Sequence, residues 1–244
     1  MTQLRFLGSG DAFGSGGRLQ ACLHLPTPDG GVLLDCGATS LVAMKQAEID
    51  PSGIGWVLLT HLHGDHFGGL PFLVLDGQFS RRERPLVVAG PPGTRDRLDA
   101  AMEVFYPGST KVQRRFDVQV VELPGLTARQ VGPVRVTAYP VDHASGAPAY
   151  ALRVEYDGKV VAYSGDTAWT DSLVDAAHDA DLLVCEAYFH ERDVKFHLSH
   201  HRLLAERHRL SCRRIVLTHM SSEMLAHAAE SEFECAYDGA VIEI

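Results

Sequence analysis

Residues 56–71 read WVLLTHLHGDHFGGLP. An apolar run with the character of a buried strand ends by placing His61, His63, Asp65 and His66 within six residues. A surface loop gains nothing from three imidazoles, and a core would have to satisfy every ring nitrogen. Alternate residues of an extended segment point the same way, so His61 and His63 can converge on one metal ion. A bend at Gly64, where glycine tolerates crowding, can swing Asp65 and His66 towards a second. Imidazole plus carboxylate with no thiolate nearby suits zinc and is compatible with manganese or iron.

Further ligands are expected at other strand ends. YPVDHASG places His143 after a strand, VVAYSGDT ends a strand on Asp166 with Gly165 allowing close approach, and IVLTHMS ends on His219. Together with the first group these supply two metals sharing Asp166 as a bridging carboxylate. WVLLTH and RIVLTH repeat one design, a buried strand that delivers Thr-His at its end. Two β-rich halves flanked by helices predict two sheets packed face to face with helices outside. Chemistry then sits beyond the strand ends, where these histidines fall. FGGLPFLVLDGQF reads as helix or loop, TRDRLDAAMEVFY as an amphipathic helix, and FECAYDGAVIEI as a closing hairpin turning at Asp238-Gly239.

The 244 residues, 45% apolar and 22% charged, support one domain over 1–244 with a sizeable core. A net charge of -9 argues against a dedicated nucleic-acid surface. The clusters Arg81-Arg82-Arg84 and Arg202 to Arg214 read as solvated faces. Five scattered cysteines without a C-x-x-C read as reduced thiols, and no apolar stretch is long enough to span a bilayer. A cytoplasmic protein is expected. GSGDAFGSGG lacks both the Walker lysine and the third glycine of a dinucleotide fingerprint. It reads as a turn on the site's rim, with Asp11 a candidate substrate contact. Asp35 in LLDCG is either an acceptor for a ligand histidine or a turn aspartate.

The order HLHGDH, DH, SGDT and LTH, running from FLGSGDAFGSGG to AYDGAVIEI, resembles the metallo-β-lactamase superfamily over essentially the whole chain. The resemblance implies an αββα sandwich of two mixed sheets. It implies that His61, His63 and His143 hold one metal, that Asp65, His66 and His219 hold the other, and that Asp166 bridges them. The Asp65-His66 pair is typical of dinuclear hydrolases rather than of lactam-cleaving members. Within the superfamily the motifs are most similar to tRNase Z and related phosphodiesterases. By that resemblance Glu186 in LLVCEAYF orients His197, which protonates the leaving oxygen, and Asp65 takes the proton of water. The family's HEAT appears here as CEAY, and no tRNA-clamping Gly/Pro-rich arm is visible.

The expected function is hydrolysis by a metal-bound hydroxide of a phosphodiester, either a small nucleotide-type molecule or an RNA end. Two divalent ions, zinc before manganese or iron, are the implied cofactors, and a homodimer is compatible. The alternatives are an ester, thioester or lactone hydrolase on the same site, and a non-catalytic zinc-stabilised binding protein.

Overall fold

Strands such as WVLL and IVL carry large apolar residues at every position, so both of their faces must be covered. In the computed structural model, which describes residues 2–244, β1 (Gln3–Gly8), β2 (Cys22–Leu25), β3 (Gly31–Leu34), β4 (Ile54–Leu58), β5 (Leu86–Gly90) and β6 (Val118–Glu122) form one sheet. The second contains β7 (Arg129–Val131), β8 (Val134–Pro140), β9 (Tyr150–Tyr156), β10 (Lys159–Tyr163), β11 (Leu182–Glu186), β12 (Ile215–Thr218) and β13 (Glu234–Cys235). The strand β14 (Val241–Glu243) returns to the first sheet beside β1, so each sheet has seven strands.

Successive residues on a strand face opposite layers. Leu58, Val184 and Val216 fill the space between the sheets with Phe6, Leu34, Val136 and Leu152. Val57 and Leu59 face outward, against α1 (Ser40–Gln46), the single-turn α2 (Gly64–Phe67), α3 (Leu70–Phe79) and α4 (Thr94–Phe105). Leu183, Cys185, Ile215 and Leu217 face outward against α5 (Asp171–Ala177), α6 (His200–Glu206) and α7 (Ser222–Ala226). The result is the expected αββα sandwich. FGGLPFLVLDGQF resolves as helix, with Pro71 in the first turn of α3, where its missing N–H has no partner to lose.

Two expectations fail. FECAYDGAVIEI is no hairpin: β13 pairs with β12 in the second sheet, whereas β14 pairs with β1 in the first. The reason lies in Asp238, whose carboxylate accepts from Ser9 N–H and Ser9 Oγ (both 2.8 Å) and from Leu19 N–H (2.7 Å). These bonds fasten the segment to the loop after β1 and carry it across between the sheets. The two-residue hairpin of this kind is Asp157-Gly158, both at positive φ (51° and 72°), which joins β9 to β10. Arg82, read as a solvated charge, is buried. Its guanidinium donates to the carbonyls of Pro51, Ile54, Arg84 and Pro85, gathering the chain at the entry to β4. The second arginine cluster does face solvent, in pairs such as Arg202–Glu206 and Arg214–Glu234.

Candidate active site

The segments that leave β4, β8, β10, β11 and β12 carry His61, His143, Asp166, Glu186 and His219 to one edge of the sandwich. Asp35, immediately after β3, organises the first group. It is fully buried and sits in the left-handed region at φ 59°. Its Oδ1 accepts from Thr60 N–H (2.8 Å), and its Oδ2 accepts from Thr60 Oγ1 (2.9 Å) and from His66 Nδ1–H (2.6 Å). Thr60 Oγ1 in turn accepts from His61 Nδ1–H (3.0 Å). With Nδ1–H donated outward, each ring aims its Nε2 inward. Asp35 is therefore an acceptor for ligand-type histidines, the first of its two readings.

The inward-facing nitrogens meet the carboxylates of Asp65 and Asp166. His66 Nε2 lies 3.1 Å from Asp166 Oδ1 and 3.3 Å from Asp65 Oδ2, and His219 Nε2 lies 3.1 Å from Asp65 Oδ2. His61 and His143 each place Nε2 3.9 Å from Asp166 Oδ2. His143 Nε2 and His63 Nδ1 are 3.0 Å apart, close to the spacing of two nitrogens each about 2.0–2.1 Å from one zinc ion. His143 donates its ring proton, on Nδ1, to the carbonyl of Phe196 (3.0 Å), a non-glycine residue at φ 70°. His219 is likewise at φ 56°. Backbone held in this region is strained and persists only where the surroundings fix it. Ser9 helps to fix His219, its carbonyl accepting from His219 N–H (3.1 Å) and from Thr218 Oγ1 (3.3 Å).

Donor atoms of His61, His63 and His143 lie within 4.8 Å of one another, as do those of Asp65, His66, Asp166 and His219. His61 Nε2, His66 Nε2 and Asp166 Oδ1 are buried without a hydrogen-bond partner. An orphaned buried polar atom costs about 1–3 kcal/mol, so three converging on one spot mark a place built for a further group. A set of imidazoles and carboxylates fits divalent metal.

Electrostatics follow from burial and from the contacts. Burial pushes Asp65 and Asp166 up, but the adjoining His66 and His219 outweigh it and hold both carboxylates well below their usual range. Burial, then the neighbouring His66, depresses His61, and burial, then His143, depresses His63. Both rings are thereby kept in the neutral form that ligates.

Beside this cluster, fully buried Glu186 accepts from Thr167 N–H with Oε1 and from His197 Nδ1–H with Oε2 (3.0 Å). Burial, then the nearby Asp166, pushes Glu186 well up. His197 lies edge-on to His143, ring centroids 5.1 Å apart, with Nε2 unbonded to any described residue. Asp65 also lines a cleft of about 430 Å³ formed with Gln20, Ala38, Gly64, Phe72 and Phe105.

The structure thus brings together all nine residues singled out by sequence. It removes Asp11 from the candidates, because its carboxylate accepts from Phe13 N–H, Ser15 N–H and Ser15 Oγ and staples its own loop. Thr60, Ser9 and the carbonyl of Phe196 were not anticipated as supports. Only Thr60 left a signal, the Thr-His dipeptide shared by both strand ends.

The family model described as anti-Pycsar protein Apyc1 matches residues 2–236. Ribonuclease Z of Methanothermobacter thermautotrophicus is 27% identical over 289 aligned positions, covering 96% of this chain and 92% of that one. The short form of human tRNase Z superposes with a TM-score of 0.81 at 25% identity, covering 99% of each chain. The metallo-β-lactamase fold protein YhfI of Bacillus subtilis superposes over the whole of both chains with a TM-score of 0.79 at 20% identity, a likeness of fold. Because the family match leaves almost nothing of either sheet outside it, the chain belongs to the family described as anti-Pycsar protein Apyc1, on the metallo-β-lactamase fold.

Proposed function

We propose that this chain is a dinuclear metal-dependent phosphodiesterase acting on a small nucleotide-type diester or an RNA end, in the anti-Pycsar role that its family's description names. His61, His63 and His143 would hold one ion, Asp65, His66 and His219 the other, and Asp166 both, with zinc favoured by the donor set. Bound divalent ions supply activated water at neutral pH and neutralise charge developing on phosphoryl oxygens.

The observation that carries the phosphodiester reading is the Glu186–His197 pair (3.0 Å) on the rim of the cluster. A phosphodiester's leaving oxygen departs as a strongly basic alkoxide unless protonated, so a positioned acid is worth about 10²–10⁴ in rate. Glu186 fixes the proton of His197 on Nδ1 and orients the ring, and Nε2–H delivers the second proton as the P–O bond breaks. Asp65, held as a carboxylate, accepts the proton of the attacking water. The ribonuclease Z name of the similar chains supports a substrate of this bond type.

The test is turnover of bis-p-nitrophenyl phosphate beside a p-nitrophenyl ester by zinc- and manganese-loaded protein, with Asp166→Ala as the blank. Diester turnover is expected, with little on the ester. Ester turnover alone would move the assignment to a carbonyl hydrolase.

A further inference from the structure

CEAY brings a tyrosine to a place whose consequence depends on what its ring touches. Tyr188 lies two residues past Glu186, and its ring stacks on the imidazole of His197, with centroids 4.8 Å apart and planes 29° apart. Its backbone is held on both sides: Tyr188 N–H donates to Leu198 O (2.8 Å), and Tyr188 O accepts from Ser221 N–H (3.0 Å). Phe189 packs edge-on against the ring at 4.6 Å, and the Arg192 guanidinium covers Phe189 at 3.9 Å. The phenol makes no hydrogen bond to the described residues, so the ring is what is held in place.

His197 needs such a wall. Among the described residues its only side-chain hydrogen bond is to Glu186, through Nδ1, and one bond leaves the imidazole free to swing about it. The segment that carries it turns through Phe196 at φ 70°. His143 meets the ring edge-on at 73°, and His219 lies parallel to it at the longer distance of 6.0 Å. Of the two rings that stack on it, Tyr188 lies closer, at 4.8 Å, and offset stacking of aromatic rings is attractive as well as restrictive.

We propose that Tyr188 is a positioning residue for the reaction: its ring clamps the His197 imidazole so that Nε2–H points at the leaving oxygen. The inference rests on the phosphodiesterase reading above, with His197 as proton donor. In that step Nε2–H gives its proton to the leaving oxygen, the P–O bond breaks, and its electron pair stays on that oxygen. A loosened donor matters most when the leaving group is a poor one, because a good leaving group departs without the proton. The effect therefore belongs in the slope of rate against leaving-group basicity rather than in a uniform loss.

The experiment uses the zinc-loaded full chain and a series of aryl and alkyl phosphodiesters, with Tyr188→Phe, Tyr188→Leu and Tyr188→Met compared. Tyr188→Leu and Tyr188→Met are expected to lose about tenfold in kcat on the alkyl diesters and under about twofold on bis-p-nitrophenyl phosphate, with KM unchanged, part of the total general-acid effect. Tyr188→Phe, which keeps the ring, should restore the parent slope. An equal loss across the series, or a Tyr188→Phe loss as deep as that of Tyr188→Leu, would overturn the proposal. His197→Ala on the same series separates the two readings. If its loss does not grow with leaving-group basicity, the proton-donor reading fails. If it grows while Tyr188→Leu stays flat, only the role of Tyr188 fails.

Discussion

At the scale of single residues, the cluster is governed by a group that does not enter it. Asp35 sets the proton of His66 directly and that of His61 through Thr60. Asp35→Asn would offer one donor where two protons need acceptors. It should lower metal affinity by about 10–100-fold while the chain still folds, read by competition against a chromophoric chelator. A change under threefold would remove Asp35 from this role. His24 supplies a pH signature away from the cluster. Burial, then the charge of Arg5, lowers it from 6.5 to about 4. The unfolded chain thus takes the proton at higher pH than the folded one, so the neutral ring's contribution is complete above pH 6.5 and is lost as pH falls towards 4. The loss is about 3 kcal/mol, and His24→Leu should flatten denaturation midpoints across that window. The proposed ligands were legible because seven polar groups at strand ends have few other uses. Asp35 was left with two readings and His24 with none, since a buried strand histidine looks the same in sequence whether or not it bonds.

At the scale of elements, continuous apolar runs on the central strands and the Gly and Pro breaks between them were enough to locate the sandwich. Pairing was less accessible. Both Asp157-Gly158 and Asp238-Gly239 carry the hairpin dipeptide, yet only the first closes one. What separates them is the long-range bonding of Asp238 to Ser9 and Leu19, 229 and 219 positions away, which no local pattern displays. Arg82 was misread for the same reason, since its carbonyl partners near the start of β4 lie about thirty positions earlier. The turn after β10 offers a direct test. Gly165 has φ 56°, and a Cβ there would lie 2.7 Å from Thr60 Cβ. Gly158 has φ 72° but open space around it. Gly158→Ala should therefore cost about 1 kcal/mol from backbone strain alone. Gly165→Ala should cost more, about 2–4 kcal/mol, and lower metal content by shifting Asp166 and Thr60 together. Equal denaturation midpoints for the two variants would remove the contact from the account.

At the scale of the whole molecule, the cluster sits where strands from both sheets end, so filling it ties the halves together. Chelation of loaded protein should lower the thermal midpoint by on the order of 10 °C, from about 4 kcal/mol of linkage at a thousandfold excess over the dissociation constant. Returning zinc should restore the midpoint, and a scan unchanged by chelator would contradict a shared site. The sheets themselves are assembled unequally. The second takes all its strands from one continuous stretch, 129–235, whereas the first spans 3–122 and then waits for 241–243. As the chain emerges from a ribosome, the outer edge of β1 stays open through the synthesis of the entire second sheet, with Gln3 facing no partner until Glu243 arrives. An open edge invites pairing with other nascent chains. The late strand β14 thus makes crowding on the polysome a hazard until that strand is made.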